Sequence, residues 1–250
     1  MGAPPFRVGS MDQSPPGVGG DLVASLWWMN RREPLAVGIM GGTFNPIHFG
    51  HLRAAEEVAE SLQLAQVIFM PAAKPPHKSE VGLVSFDHRW HMLELATAGN
   101  PLFVLSDLEY QRPGISYSVE TLTQLAKERG GSEELYFVLG LDAFLELPTW
   151  KSYRELFSLC HFVVVARPGF SPESLDAMLN TQVSASYSFD FQVQGYLHPS
   201  LRTVYYREVT LLDISSSTIR KLLAEGGTVR YLLPKKVEEY IQQQGLYQQR

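Results

Sequence analysis

From residue 35 onward, short segments of nearly continuous apolar residues alternate with segments of helical periodicity. An apolar run without polar alternation indicates a strand that is buried on both faces, as in a parallel sheet. The predicted strands are 35–40, 66–70, 102–105, 135–139, 161–166 and 203–212. The predicted helices are 50–63, 86–98, 117–129, 151–159, 216–225 and 234–243. This order predicts an α/β fold with a doubly wound parallel sheet, in one main domain over residues 35–250.

Two segments lie outside this alternation. Residues 1–34 are rich in proline and glycine, and they contain too few apolar residues to form a core, so they predict a flexible N-terminal extension. Residues 168–200 are less regular and predict a short helix followed by a polar excursion that contains aromatic residues.

The charge balance and the single cysteine limit the class of protein. The chain has 21 Lys and Arg against 26 Asp and Glu, so no general basic surface is expected for a nucleic-acid backbone. Cys160 lies in an apolar run and is expected to be a buried small side chain; one cysteine excludes a disulfide framework.

No apolar run reaches the length of a membrane span, and no leader pattern stands at the start. We therefore expect a soluble, cytoplasmic protein with no nucleic-acid or membrane partner.

The first predicted strand runs directly into the turn GGTFNPIHFGH, residues 41–51. In an open α/β sheet, the turn between the first strand and helix is where phosphates usually bind. Gly41 and Gly42 allow main-chain N–H groups to approach a phosphate, and His48 and His51 can point from the helix start toward it. The spacing fits neither G-x-x-x-x-G-K-[ST] nor G-x-G-x-x-G. A metal-binding histidine pair is one alternative, although no third ligand has a supporting spacing, and a purely structural turn is another.

A second candidate phosphate site is DISSSTIRKLL, residues 213–223, at the start of a predicted helix. The hydroxyls of residues 215–218, the free N–H groups of the helix start and Arg220 together suit an anion. An ordinary serine N-cap is the alternative, but it would need only one hydroxyl. Two phosphate sites at strand ends of one sheet favour a nucleoside triphosphate as ligand.

These two motifs resemble G-x-F-[DN]-P-x-H-x-G-H and I-S-S-S-T-x-[IL]-R of the nucleotidyltransferase superfamily with the HxGH motif. Within it, the chain resembles the bacterial nicotinate-nucleotide adenylyltransferases. Further matching stretches are PPHK at 75–78, RWHML at 89–93, SYSVETL at 116–122, GLDAF at 140–144, LPTW at 147–150 and ARPGF at 166–170. The resemblance implies a Rossmann-like nucleotidyltransferase fold. It also implies that the adenylyl group of ATP, carried with Mg²⁺, is transferred to nicotinate mononucleotide, giving deamido-NAD and pyrophosphate without a covalent enzyme intermediate.

The resemblance also implies roles for individual residues. The catalytic residues would be His48, His51 and Arg220. The ATP-binding residues would be Gly41, Gly42, Thr43, Phe44, Gly140, Asp142, Arg167, Ser216 and Ser217. The acceptor-binding residues would be Lys74, His77, Ser118 and Trp150, and no residue would bind a metal.

Several of these assignments have alternatives. Trp150 would stack on the pyridine ring, but it could be a core tryptophan. The basic cluster of Lys74, His77 and Lys78 could be solvated loop charges. Ser118 stands where the family commonly has threonine. Ala72-Ala73 follow Pro71 where some relatives carry asparagine, which puts one polar contact to the acceptor in doubt.

Two other functions remain open at this point. The chain could be another HxGH adenylyltransferase or cytidylyltransferase, with phosphopantetheine or nicotinamide mononucleotide as acceptor. It could also be a nucleotide-binding regulatory module without turnover. Homo-oligomerisation is compatible with the sequence and is not specified by it.

Overall fold

The computed structural model describes residues 35–74, 82–129, 133–166, 173–210 and 212–248. The predicted extension 1–34 therefore lies outside the described residues. In the described residues, eight strands form one sheet in the order β3-β2-β1-β4-β5-β8-β7-β6. Their bounds are β1 Leu35–Gly42, β2 Gln66–Pro71, β3 Phe103–Leu105, β4 Glu133–Gly140, β5 His161–Ala166, β6 Ser188–Asp190, β7 Gly195–Leu197 and β8 Val204–Glu208.

Strand β1 lies at the centre and pairs in parallel with β2 on one side and β4 on the other. The strands β3, β5 and β8 continue the parallel part outward. Because the chain moves to one side of β1 with β2 and to the other side with β4, a crevice opens at the carboxyl ends of these strands. The predicted α/β fold with a doubly wound parallel sheet is confirmed for these six strands.

The helices cover both faces of the sheet. Their bounds are α1 Phe49–Ser61, α2 Phe86–Thr97, α3 Leu108–Gln111, α4 Ser118–Glu128, α5 Leu141–Leu145, α6 Tyr153–Leu159, α7 Glu173–Met178, α8 Ser216–Ala224 and α9 Lys235–Gln244. Val37 and Ile39 of β1 pack with α4, α5, α6 and α7 in one core, whereas Met40 packs with α1, α2, α8 and α9 in the other. Alternate residues of a strand point to opposite faces, which is why one apolar run serves both cores. Cys160 is fully buried in the first core, and this burial raises its pKa.

In the described part of the segment 168–200, the predicted short helix is present as α7, but the part that follows it differs from the prediction. After α7 and a π-helical turn, Leu179–Val183, the strands β6 and β7 form an antiparallel hairpin that pairs with β8. These strands have three residues each, too few to show a period in the sequence. A Cβ atom on Gly195 would lie 2.9 Å from the carbonyl oxygen of Val204, so glycine allows the close approach to β8. The sheet is thus mixed, with an antiparallel edge that the sequence reasoning missed.

None of the described helices is both long enough and apolar enough to cross a membrane.

Candidate active site

A cleft of about 810 Å³ lies at the carboxyl ends of β1, β4 and β5. This volume suits a nucleotide-sized ligand. Of the residues assigned to the site from the sequence, nine line the cleft: Gly41, Gly42, Thr43, His48, His51, Ser118, Gly140, Asp142 and Trp150. The fold therefore brings together both the turn and the intermediate motifs at one place. Arg167 and His77 lie outside the described residues, so their assignments remain predictions.

The last two residues of β1, Gly41 and Gly42, and the turn that follows them are tightly packed on their inner side. A Cβ atom on Gly42 would lie 3.0 Å from the Phe44 ring, and one on Gly41 would lie 3.3 Å from the Phe137 ring. Phe44 is buried at 2% exposure and packs against Phe69, with ring centroids 5.8 Å apart. Because its ring is buried beneath the turn and does not line the cleft, Phe44 can contribute only main-chain groups to a ligand.

His48 is the N-cap residue of α1 and is buried at 6% exposure. Its Nδ1 atom is buried and has no hydrogen-bond partner among the described residues. Burial lowers the pKa of His48 to about 4, because an imidazolium loses its hydration there. A Cβ atom on Gly50 would lie 3.0 Å from this Nδ1, so the glycine between the histidines leaves room for the ring. His48 is thus a neutral imidazole that lines the cleft with one nitrogen unpaired.

His51 stands one turn into α1, and its ring stacks on that of His48. The His48 N–H donates to Nδ1 of His51 at 3.3 Å. A nitrogen that accepts a hydrogen bond carries no proton, so this bond places the ring proton of His51 on Nε2. Phe44 meets the His51 ring edge-on, with centroids 5.2 Å apart, and limits its rotation. His51 is therefore oriented as a donor through Nε2.

The second motif begins α8 and packs directly on the turn. Ser215 is the N-cap, and its Oγ accepts from the Thr218 N–H at 3.1 Å. The Ser216 hydroxyl donates to the carbonyl of Pro46 at 2.8 Å. Arg220 donates from Nη1 to the carbonyl of Asn45 at 2.8 Å. The two predicted phosphate motifs are thus joined by hydrogen bonds.

This geometry changes how two serines can act. The Ser216 hydroxyl already has a partner in the turn, so its main-chain N–H is the group that it offers to a phosphate. Ser217 is exposed, and its hydroxyl lies 3.0 Å from Oγ of Ser215. The capping function therefore belongs to Ser215, one of the four hydroxyl residues of the second candidate phosphate site.

Asp142 and Gly140 lie next to each other where β4 ends. A Cβ atom on Gly140 would lie 2.6 Å from Oδ1 of Asp142, so glycine is needed for the carboxylate to take this position. Asp142 lines the cleft and can accept hydrogen bonds from ligand hydroxyls.

The other end of the cleft is formed by Trp150 and the start of α4. Trp150 is half-buried and meets Phe137 edge-on, with centroids 6.4 Å apart, which leaves ring surface on the cleft. Ser118 is the first residue of α4, whose N-terminus lines the cleft. Lys151 donates from Nζ to Oε1 of Glu120 at 2.6 Å and lies over the Tyr117 ring. The Lys151 charge is thus paired with Glu120, which is distant from it in the sequence.

Lys74 is exposed and is not among the residues that line the cleft. Its main-chain N–H donates to Oγ of Ser116 at 3.3 Å. Its contact with an acceptor stays a prediction.

Two charged residues near the cleft were missed by the sequence reasoning. Glu109 lines the cleft and accepts from the Thr121 hydroxyl at 2.9 Å, and burial raises its pKa. It lies in α3, a four-residue helix with no periodicity to reveal it. Arg89 is 1% exposed and donates from Nη1 to the carbonyls of Thr43 at 2.9 Å and Ala72 at 2.8 Å. Its position on the buried face of α2, with Met92 and Leu93, was a signal that the sequence offered.

No group of three or more His, Cys, Asp or Glu side chains that could hold a metal ion occurs in the described part of the chain. The polar groups identified at the turn and at α8 are mainly donors, which suit an anion.

Comparison with known proteins identifies the same family that the sequence motifs resemble. Residues 39–222 match the family described as Cytidylyltransferase-like. A protein of Geotalea daltonii named "Probable nicotinate-nucleotide adenylyltransferase" is 46% identical over 213 residues, covering 85% of this chain and 98% of that protein. A protein of Geobacter sulfurreducens with the same name is 44% identical over the same shares.

Solved structures share the fold. Plasmodium falciparum nicotinic acid mononucleotide adenylyltransferase complexed with NaAD has a TM-score of 0.66 at 19% identity, over 85% of this chain and 97% of that chain. A structure of a "Putative Nicotinate-nucleotide Adenylyltransferase" from Vibrio parahaemolyticus has a TM-score of 0.57 at 16% identity, over 86% of this chain and 97% of that chain. The chain therefore belongs to the nicotinate-nucleotide adenylyltransferases, within the cytidylyltransferase-like family.

Proposed function

We propose that this chain transfers the adenylyl group of ATP to nicotinate mononucleotide and releases pyrophosphate, forming deamido-NAD in NAD biosynthesis. The observation that carries the proposal is the junction of the two phosphate motifs. Ser216 and Arg220 of α8 bond to the carbonyls of Pro46 and Asn45, beside the cleft lined by His48 and His51. Membership of the family supports the choice of reaction.

The reaction is an in-line displacement at the α-phosphorus of ATP. An oxygen of the mononucleotide phosphate forms the new bond to phosphorus as the bond to the β-phosphate oxygen breaks, and pyrophosphate leaves. Chemistry of this kind needs positioning and stabilisation of negative charge rather than a covalent enzyme intermediate. Mg²⁺ bound to the triphosphate would neutralise part of that charge, and we assign it no protein ligand.

Residues in and beside the cleft bind the triphosphate and stabilise the negative charge at the reacting phosphate. Gly41 and Gly42 let main-chain N–H groups approach the triphosphate, and Nε2–H of His51 donates to the reacting phosphate as charge develops. His48, buried and neutral, provides a second imidazole in the same place. Arg220 donates one N–H to the carbonyl of Asn45, and its other guanidinium N–H groups would bind the β- and γ-phosphates.

The nucleoside parts of ATP and of nicotinate mononucleotide bind farther along the cleft than the phosphates. Asp142 accepts from the ATP ribose, and Trp150 stacks on the pyridine ring. The carboxylate of nicotinate is placed at the N-terminus of α4, where the helix dipole favours an anion. We assign the activity to residues 35–250 and propose a cytoplasmic location.

The assay of pyrophosphate release with each acceptor tests the proposal. Release with ATP and nicotinate mononucleotide, and deamido-NAD as product, are the expected results. Release only with nicotinamide mononucleotide or with phosphopantetheine would assign the chain a different acceptor. Nucleotide binding without release under any of these conditions would instead identify a regulatory module.

A further inference from the structure

Asn45 is the point in the turn where separate parts of the chain meet. Its main-chain carbonyl accepts from Nη1 of Arg220 at 2.8 Å. Its side-chain Oδ1 accepts from the Tyr247 hydroxyl at 2.7 Å and from the Val84 N–H at 3.3 Å. Its Nδ2 donates to the carbonyl of Gly82 at 2.8 Å. Because Asn45 is buried at 6% exposure, this set of bonds fixes both its side chain and its peptide group.

Tyr247 reaches Asn45 from beyond the end of α9. Gly245 ends that helix in the left-handed conformation, and Leu246 is buried in the second core. Tyr247 itself has φ of 64°, a conformation that a non-glycine residue adopts at some cost. The hydroxyl is thus held at Asn45 by the surrounding packing. Burial raises the Tyr247 pKa, against the opposing effect of the Arg220 and Arg89 charges, so the hydroxyl stays protonated and able to donate.

We propose that Tyr247 is a positioning residue for ATP binding, acting through Asn45 on Arg220. The hydrogen bond from Tyr247 holds the Asn45 side chain, and the carbonyl of the same residue then holds the Arg220 guanidinium. Tyr247 does not line the cleft, so this action is indirect. The inference rests on the proposed role of Arg220 at the β- and γ-phosphates.

Helix α9, which precedes Tyr247, offers a matched control. Tyr240 lies on α9, and its hydroxyl is 2.8 Å from Nδ1 of His88 on α2. Replacing either tyrosine by phenylalanine removes one hydroxyl from a partly buried hydrogen bond. Only the bond of Tyr247 connects to the turn and to Arg220.

The experiment compares Tyr247→Phe, Tyr240→Phe and the unchanged chain. We expect Tyr247→Phe to raise KM for ATP roughly three- to tenfold, the effect of one hydrogen bond lost from a buried network. KM for nicotinate mononucleotide and the inhibition constant of AMP should not change, since neither ligand has a γ-phosphate. Tyr240→Phe should leave all three constants unchanged. A fall in Tm with no change in KM for ATP, or an equal change for ATP and AMP, would overturn the inference.

Arg220→Ala separates this inference from the proposed site. Arg220→Ala could weaken the binding of ATP far more than that of AMP while Tyr247→Phe has no such selective effect. In that case the proposed role of Tyr247 is wrong, and the proposed role of Arg220 stands. If Arg220→Ala weakens both nucleotides alike, the assignment of Arg220 fails and the inference fails with it. In the Arg220→Ala background, Tyr247→Phe should cause no further rise in KM for ATP, and a full additional rise would contradict action through Arg220.

Asn45→Ala removes the same bond from its other end. It should reproduce the selective loss of ATP if Tyr247→Phe proves too unstable to assay. Unfolding of both variants, with Tyr240→Phe folded, would show that Tyr247 supports the fold rather than the ligand and would overturn the inference.

Discussion

The imidazole rings of His48 and His51 stack with their centroids 3.7 Å apart and their planes inclined by 27°. The main-chain N–H of His48 bonds to Nδ1 of His51, so the two side chains are oriented as one unit before a ligand arrives. Preorganised donors of this kind act chiefly on charge that develops in a transition state.

We therefore expect His51→Ala to lower kcat by roughly a hundredfold or more while much of the ATP affinity is retained. Single-turnover kinetics and ATP titration measure the two quantities. His91→Ala is the matched control, because His91 is an exposed histidine that pairs with Glu94 on its own helix, packs against Tyr240 and does not line the cleft. Near-normal turnover in His51→Ala would contradict the proposed role.

The pKa of His48 predicts how stability depends on pH in the absence of ligand. Burial holds this pKa at about 4 in the folded chain, whereas a histidine in the unfolded chain has its ordinary pKa of 6.5. Between these values the unfolded chain binds the extra proton, so the contribution of His48 to stability is complete above about pH 6.5 and is lost as the pH falls toward 4. The loss approaches about 3 kcal/mol at the acid end.

Urea unfolding of the unchanged chain and of His48→Asn at pH 7 and pH 5 measures this loss. Burial also lowers the pKa of His161, so part of the pH dependence should remain in the variant. The difference between the two proteins isolates His48. Equal pH dependence in both would contradict the prediction.

Acceptor choice tests the other end of the cleft. Nicotinate carries a carboxylate that can accept from N–H groups at the N-terminus of α4, and the neutral carboxamide gains less there. We expect kcat/KM to be higher for nicotinate mononucleotide than for nicotinamide mononucleotide. Lys151→Met should leave this preference nearly unchanged, because the exposed Lys151 charge is already paired with Glu120. Equal rates with both acceptors would show a dual-specificity enzyme.

Trp150→Ala should lower kcat/KM for both acceptors by roughly ten- to a hundredfold through lost stacking on the pyridine ring. Trp90→Ala is the control, since Trp90 bonds through Nε1 to Glu94 on its own helix and does not line the cleft. Steady-state kinetics with each acceptor provide the test. A loss confined to ATP would instead place Trp150 against the adenosine.

Replacing the buried Arg89 should lower the free energy of unfolding. Arg89→Met leaves the carbonyls of Thr43 and Ala72 without their buried donor, which should cost about 3 kcal/mol in unfolding free energy. Arg53→Met, on an exposed ion pair with Glu57, should cost far less. Urea denaturation at pH 7 compares them, and similar losses in both would show that the buried guanidinium contributes little.

The strands β1, β4 and β5, which position the candidate site, were predictable because each contains a nearly continuous apolar run. The prediction for 203–212 extended too far, since VTLL at 209–212 is also rich in β-branched and apolar residues. Strand β8 ends at Glu208, and the Thr210 N–H donates to Glu57 on α1 instead of to a neighbouring strand. Long-range pairing of that kind leaves no local pattern.

The place of the candidate site in the fold was predictable in part, whereas the roles of its residues stay predictions. Both phosphate motifs are local in sequence, and the structure joins them at Pro46 and Asn45. The partners of Lys151 and Arg89 could not be inferred, because Glu120 and the Thr43 carbonyl come from other elements. The sequence shows which side chains are charged, but it does not show which distant groups pair with those charges.

The bonds that join Asn45 to Arg220 and to Tyr247 span 175 and 202 positions of the chain. A ribosome makes the chain from its N-terminus, so the turn is synthesised long before the groups that hold it. A nascent chain that has emerged only as far as β8 already contains the glycines and both histidines. It would nevertheless lack Arg220 and Tyr247, and its capacity to retain ATP should arise only after both of these residues have been synthesised.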